Sequence, residues 1–304
     1  MNAPRLDDPR RIGPHGVLAR LGDDEPEHAA AERRFIVRAG DGDRTLLVRL
    51  PRPGVDPTRW AIEAEGARRL SVPGFLPVGE VGGGGAELPW CAGPYVPAVP
   101  LPDALRAHGG PLPDPVVRAL GAALARTLVT AHAQGVPHAG LSPAAVLLTA
   151  DGPLLSGFGA VRAAAPDGEP RSGLPGLDSG CLAPEQAAGG RPRPPGDVYA
   201  LGAVLAYAAT GHTVPERDEL PSFLREPVTA CLSRDPARRP QAYELLALLE
   251  PTAPTAVHEA TVLDTATPSP SPIPLPASVV VALAHQSAQV LAAELPVPAS
   301  RTRH

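Results

Sequence analysis

The pattern of apolar and polar positions divides the chain into stretches of different period. Residues 12–97 carry short apolar runs, "GVLARLG", "RRFIVRAG" and "RTLLVRL", separated by Gly, Pro and Asp, with the turn "DGD" ahead of the third. Runs of this length between turn residues predict short strands, interrupted by one helix over Pro57 to Leu70. From residue 98 to 250 the period lengthens. In "PDPVVRALGAALARTLVTAHAQG" the residues Val117, Leu120, Leu124, Leu128 and Ala131 recur at helical spacing, which predicts a buried helix. Asp114 is its expected N-cap, Pro115 suits the first turn and Gly135 the end. "GDVYALGAVLAYAATG" (196–211) is apolar nearly all round and predicts a central helix, and "RPQAYELLALLE" (239–250) predicts one more. A small sheet-rich lobe, 12–97, is thus followed by a largely helical one, 98–250.

The ends read differently. Residues 1–11 form a short arm without an apolar signal core. Residues 251–304 hold nine prolines with Ser and Thr between them, which predicts a flexible tail, with a short helix at 278–295 that packs on the domain or binds a partner.

Composition narrows the chemistry. A chain of 304 residues, 43% hydrophobic, buries a sizeable core. It contains no lysine: all 27 cationic side chains are arginine, so a mechanism that needs an amine side chain is excluded. The net charge of -5 is spread along the sequence, so no basic footprint points to nucleic acid or anionic lipid. Cys91, Cys181 and Cys231 are far apart and odd in number, which argues against a disulfide framework or a zinc site. No stretch reaches the roughly 18 apolar residues of a membrane span. A cytoplasmic protein is expected.

Four motifs occur in order: "HAGLSPAAVLL" (138–148), "APEQ" (183–186), "DVYALGAVL" (197–205) and "RDPARRP" (234–240). With them, residues 12–251 resemble a bacterial serine/threonine protein kinase domain of the eukaryotic-like type. The resemblance implies an α+β, two-lobed protein-kinase-like fold with a β-rich N-lobe and a helical C-lobe.

Carried over position by position, it also implies lost chemistry. In the catalytic loop His138, Leu141, Pro143, Val146, Leu147 and Leu148 match the family's pattern. Ala139 replaces its Arg, Gly140 its catalytic Asp, Ser142 its Lys and Ala145 its Asn. That loop needs a carboxylate to accept the proton of the attacking hydroxyl and an amide to hold magnesium. Phe158 and Gly159 keep two of three residues in the next motif, but Gly157 stands where a metal-binding Asp belongs, and magnesium requires oxygen ligands. Arg49 takes the place of the strand lysine, and Glu63 that of its helix partner, so an Arg49–Glu63 ion pair is expected.

Leu47, Val96 and Leu147 are the candidate lining of the adenine slot, with Leu47 crowding it. The phosphate-covering loop reads "RLGDDEPEHA", so Asp23, Asp24, Glu25 and Glu27 bring acids to a place meant for triphosphate. What the resemblance leaves is structural: His138 and Phe158 in an internal stack, Asp197 as acceptor for catalytic-loop amides, and Glu185 with Arg239 as a buried ion pair.

The expected function is that of a pseudokinase, a regulatory or scaffolding module that is not an enzyme. Its ATP and magnesium binding are weak or absent, and its partner is a protein: an active kinase, or a phosphothreonine-binding domain reading Thr261 in "EATVLD". The alternative is a serine/threonine protein kinase-like enzyme with residual ATP binding and unconventional phosphotransfer.

Overall fold

The computed structural model describes residues 5, 7–22, 30–85, 87–250 and 273–294. In the first lobe β1 (Arg11–Ile12), β2 (His15–Leu21), β3 (Glu32–Arg38), β4 (Thr45–Pro51), β5 (Glu80–Gly84) and β6 (Glu87–Pro94) form one antiparallel sheet in the order β1-β2-β3-β4-β6-β5. Successive side chains of a strand leave opposite faces. Phe35, Val37, Leu46, Val48, Leu50, Trp90 and Ala92 therefore pack together on one face. Ile36 and Leu47 leave by the other, where Ala19 and Leu21 join them. This second face is the roof of the cleft between the lobes. Helix α1 (Pro57–Arg68) starts where Asp56 accepts the Thr58 and Arg59 N–H groups, and it lays Trp60 and Ala64 against Cys91.

The second lobe is built around two long helices. α2 (Leu101–His108) and α3 (Asp114–Ala133) precede the irregular loop 134–145. A small sheet of β7 (Val99–Pro100), β8 (Val146–Thr149) and β9 (Gly152–Leu155) lies beneath the cleft, followed by α4 (Ala160–Ala164), α5 (Pro184–Ala187) and α6 (Pro194–Thr210). α7 (Ser222–Cys231) and α8 (Ala242–Leu249) complete the lobe. All five apolar positions read from α3 are fully buried, and α6 is buried from Gly196 to Ala208 except at Tyr199, as its all-round apolarity predicts. Each Leu or Val taken fully out of water contributes about 1.5–3 kcal/mol. α3 and α6 therefore outweigh any single polar contact in holding this lobe.

Two helix starts differ from expectation. The N-cap of α3 is Pro113, and Asp114 already lies inside the first turn, where its charge suits the helix dipole but its side chain caps nothing. The last C-lobe helix begins at Ala242 rather than Arg239, because Pro240 holds Arg239 extended, at φ -76° and ψ 142°.

The described residues of the terminal segments are also built in; the rest of the expected arm and tail lies outside the described residues. Asp8 is buried and pairs with Arg20 at 3.0 Å, and β1 straddles the expected boundary between arm and lobe. α9 (Ala277–Glu294), within the segment expected to be flexible, packs on α2, β2 and β7. Among the described residues no helix is long and apolar enough to cross a membrane.

Candidate functional site

Between the lobes, two backbone segments lie against each other where phosphoryl-transfer chemistry would be expected. Ser142–Ala145 makes a tight turn into β8, and Ser156–Gly159 leaves β9. Backbone hydrogen bonds close them together: Ser156 N–H to Ala145 O at 2.9 Å, Gly159 N–H to His138 O at 2.9 Å and Val161 N–H to Ala139 O at 2.8 Å. The approach is so close that a Cβ on Gly140 would collide with the Gly157 carbonyl oxygen. Gly157 itself has φ +74°, a region that L side chains rarely adopt. Both positions thus lack a carboxylate, and the local backbone has taken the space for one at residue 140.

The loop is held from below by Asp197 on α6. Its carboxylate accepts the His138 and Ala139 N–H groups, each at 2.8 Å, and meets His132 Nε2 at 2.9 Å. Ala139 has φ +54°, the one positive φ outside glycine among the described residues. Two charge-assisted bonds of this length explain how such a conformation persists. The His138 ring is fully buried, with neither nitrogen hydrogen-bonded, and packs edge-on against Phe75 at 5.0 Å, with Phe158 at 6.1 Å. Burial pushes its pKa down to about 4, so the ring is neutral and serves as packing.

Further out, Glu185 and Arg239 make a bidentate pair, both contacts 2.7 Å, as the resemblance implies. Arg239 also donates to the Ser233 and Pro195 carbonyls.

The Arg49–Glu63 pair does not form. Arg49 donates to the Pro77 carbonyl at 3.3 Å and lies 3.8 Å from Glu32, two positions along β3 from its cross-strand partner Arg34. Glu63 instead pairs with Arg162 at 2.8 Å, and Gly159 lies so close that a Cβ there would strike the Glu63 carboxylate. The reason is local. A guanidinium reaches a nearer acid on its own sheet, while α4 offers Glu63 a cation beside Phe158, whose ring lies 4.8 Å under the Arg162 guanidinium.

The slot expected for adenine is apolar and filled. Leu47 and Leu147 are 2% and 0% exposed and join Ala19, Leu21, Ile36, Leu76, Ala98 and Val290 in one cluster. Val96 is not a member. The segment after β6 is irregular, and Tyr95 and Ala98 are the residues that turn inward, leaving Val96 half-buried outside.

Sequence reasoning missed three arginines. Arg34, 2% exposed, donates to the Ala144 carbonyl at 2.8 Å and to Ser156 Oγ at 2.6 Å, joining the roof strand to both floor segments. Burial lowers its pKa to about 10, which leaves it charged at neutral pH. The alternation of "ERRFIVR", which puts Arg34 on the same face as Ile36, was the available signal. Arg162 is the second. The third, Arg171, is wholly buried and donates to the carbonyls of Ala165, Gln186 and Gly190 and to Asp167.

These residues do not fit a magnesium nucleotide. Gly157 and Ala145 offer no side-chain oxygen, Arg34 sets a fixed positive charge between the same two segments, and no group of three or more His, Cys, Asp or Glu among the described residues could hold a metal. Asp23, Asp24, Glu25, Glu27 and Thr261 lie outside the described residues.

The chain is similar to known proteins over most of its length. The probable serine/threonine-protein kinase PkwA of Thermomonospora curvata is 35% identical over 265 residues, 80% of this chain and 34% of that protein. The serine/threonine-protein kinase AfsK of Streptomyces coelicolor is 32% identical over 267 residues, 80% of this chain and 32% of that one. The chain thus spans about a third of the length of these relatives. The crystal structure of the Mycobacterium tuberculosis PknI kinase domain superposes with a TM-score of 0.60 at 24% identity, over 79% of this chain and 96% of that domain. No protein-family model matches the chain.

Proposed function

Because this chain belongs to the bacterial serine/threonine protein kinase family, we propose that it is a pseudokinase, a kinase-like domain that transfers no phosphoryl group and acts by contact with a protein partner. The observation that carries the reading is the closure of Gly140 onto the Gly157 carbonyl. Phosphoryl transfer needs a base at the attacking hydroxyl and cations that neutralise the developing charge. Neither position has a side chain, and the space for one at residue 140 is occupied by backbone.

A competing reading, transfer by an unconventional base, has one observation in its favour: Asp178 lines the same hollow as Gly140 and Ser142, with a volume of about 20 Å³. That carboxylate, however, accepts the Gly180 N–H at 2.9 Å within its own turn. Asp178 therefore supports a structural part in the segment rather than chemistry.

Incubating the purified chain with radiolabelled ATP, magnesium or manganese, and generic protein acceptors tests the proposal. The expected result is no label on the chain or on any acceptor above a protein-free blank. Label transfer that disappears when the cleft is altered, for example by Arg34→Met, overturns it.

A further inference from the structure

α9 crosses the mouth of the cleft with a periodic buried side. Val279, Leu283, Gln286 and Val290 are buried, while Val280, Val281 and Leu291 are exposed. Spacings of four, three and four residues place the first set on one face of a helix. Val279 and Leu283 join the C-lobe core that contains Leu101 and Leu105 of α2. Val290, two turns beyond Leu283, enters a different cluster: Leu21 and Leu47 from the sheet above and Leu147 from β8 below, the filled slot itself. One helix thus bridges the floor of the cleft and its roof.

Between these anchors lies a buried polar contact. Gln286 is 3% exposed, and its Oε1 accepts the Ala98 N–H at 2.8 Å. Ala98 sits in the connection from β6 to β7, which joins the two lobes. A buried backbone donor must find a partner, and here the partner comes from 188 positions away in sequence. An amide that satisfies one backbone donor fixes the helix along its axis. A branched aliphatic group in the slot fixes its rotation.

We infer that the interlobe cleft is a helix-binding groove whose ligand is α9, recognised through the Gln286 amide on the Ala98 N–H and the Val290 side chain between Leu47 and Leu147. The inference deepens the reading of the cleft as a contact surface and rests on it. Docking within one chain keeps a ligand of modest intrinsic affinity in place, and an external helix must compete with it. A planar heterocycle would need the same slot, so α9 and a nucleotide base exclude one another.

The test uses a fluorescein-labelled peptide of residues 273–294, titrated by anisotropy against the full chain and against full-length Val290→Asp and Gln286→Ala variants. The Val290→Asp chain, its own helix unseated, binds the peptide saturably. The unaltered chain binds it at least about tenfold more weakly, because the resident helix occupies the groove. A peptide that itself carries Val290→Asp does not bind. Absence of binding to the folded Val290→Asp chain, or equal binding to both chains, overturns the inference. Should Val290→Asp fail to fold, the Gln286→Ala chain takes its place, and amide exchange at Ala98 in the unaltered chain decides independently: strong protection supports the helix, rapid exchange sinks it. Label transfer from ATP would overturn the pseudokinase reading while leaving the peptide result standing, so the two failures are separable.

Discussion

The Cα of Gly140 faces the carbonyl oxygen of Gly157 at a separation that leaves no room for a Cβ. Residue 140 carries no carboxylate, and backbone occupies the place one would need. The expected consequence is that Gly140→Asp does not restore phosphoryl transfer and instead lowers stability by about 2 kcal/mol, the usual cost of forcing atoms into a packed site. Thermal melting and radiolabel transfer read the two halves. A variant as stable as the parent would show that the segments separate readily.

His138 gives a pH signature. Its pKa is about 4 in the fold, lowered chiefly by burial, against an ordinary value near 6.5. The fold therefore favours the neutral ring. The contribution is fully present above about pH 6.5 and is lost as pH falls toward about 4, where the folded state also takes up the proton. The loss is on the order of 3 kcal/mol. His138→Phe keeps an aromatic ring against Phe75 and removes two unpaired nitrogens. Its stability from pH 6.5 to 4, followed by urea unfolding, should fall less steeply than that of the parent. Equal slopes would place the acid sensitivity elsewhere.

Glu185 and Arg239 differ in environment: the Arg239 side chain is fully buried, the Glu185 side chain 30% exposed. Removing the acid strands a buried cation, but water and the Ser233 and Pro195 carbonyls relieve part of the penalty. Glu185→Ala should cost about 2–3 kcal/mol, toward the lower end for a broken buried pair. A change below about 0.5 kcal/mol in denaturant unfolding, typical of surface substitutions, would show that the pair is ornamental.

Partner choice among the cleft charges is open to a double-mutant cycle. Glu63 touches Arg162 and not Arg49. Alanine substitutions at Glu63 and Arg162 should couple by about 1 kcal/mol, since both side chains are partly exposed, while Glu63 and Arg49 should add within about 0.5 kcal/mol. The reverse pattern would return Arg49 to the role its strand position suggests.

These pairings also mark where the sequence stops being informative. The period of α3 and the all-round apolarity of α6 dictate burial, so both helices and their inward faces were legible from residue order alone. The ordered motifs contain His138, Asp197, Glu185 and Arg239, each in a run with fixed spacing, and Phe158 lies in the stretch that follows the first of them. The partner of a long side chain is another matter. Arg49 reaches Glu32 instead of Glu63 because a few ångströms of lobe geometry decide between two acids, and spacing along the chain does not encode that distance. α9 was visible as a helix, but its berth was not. The groove it fills is assembled from residues between 19 and 147, and no local pattern in residues 273–294 names them.

Arg171 has a wider implication. It sits midway along the stretch that leads from Gly159 to α5, and its guanidinium ties together the carbonyls of Ala165, Gln186 and Gly190. These anchors, with the Asp167 contact, oppose displacement of the strip, so this side of the protein is expected to present one relief to whatever meets it.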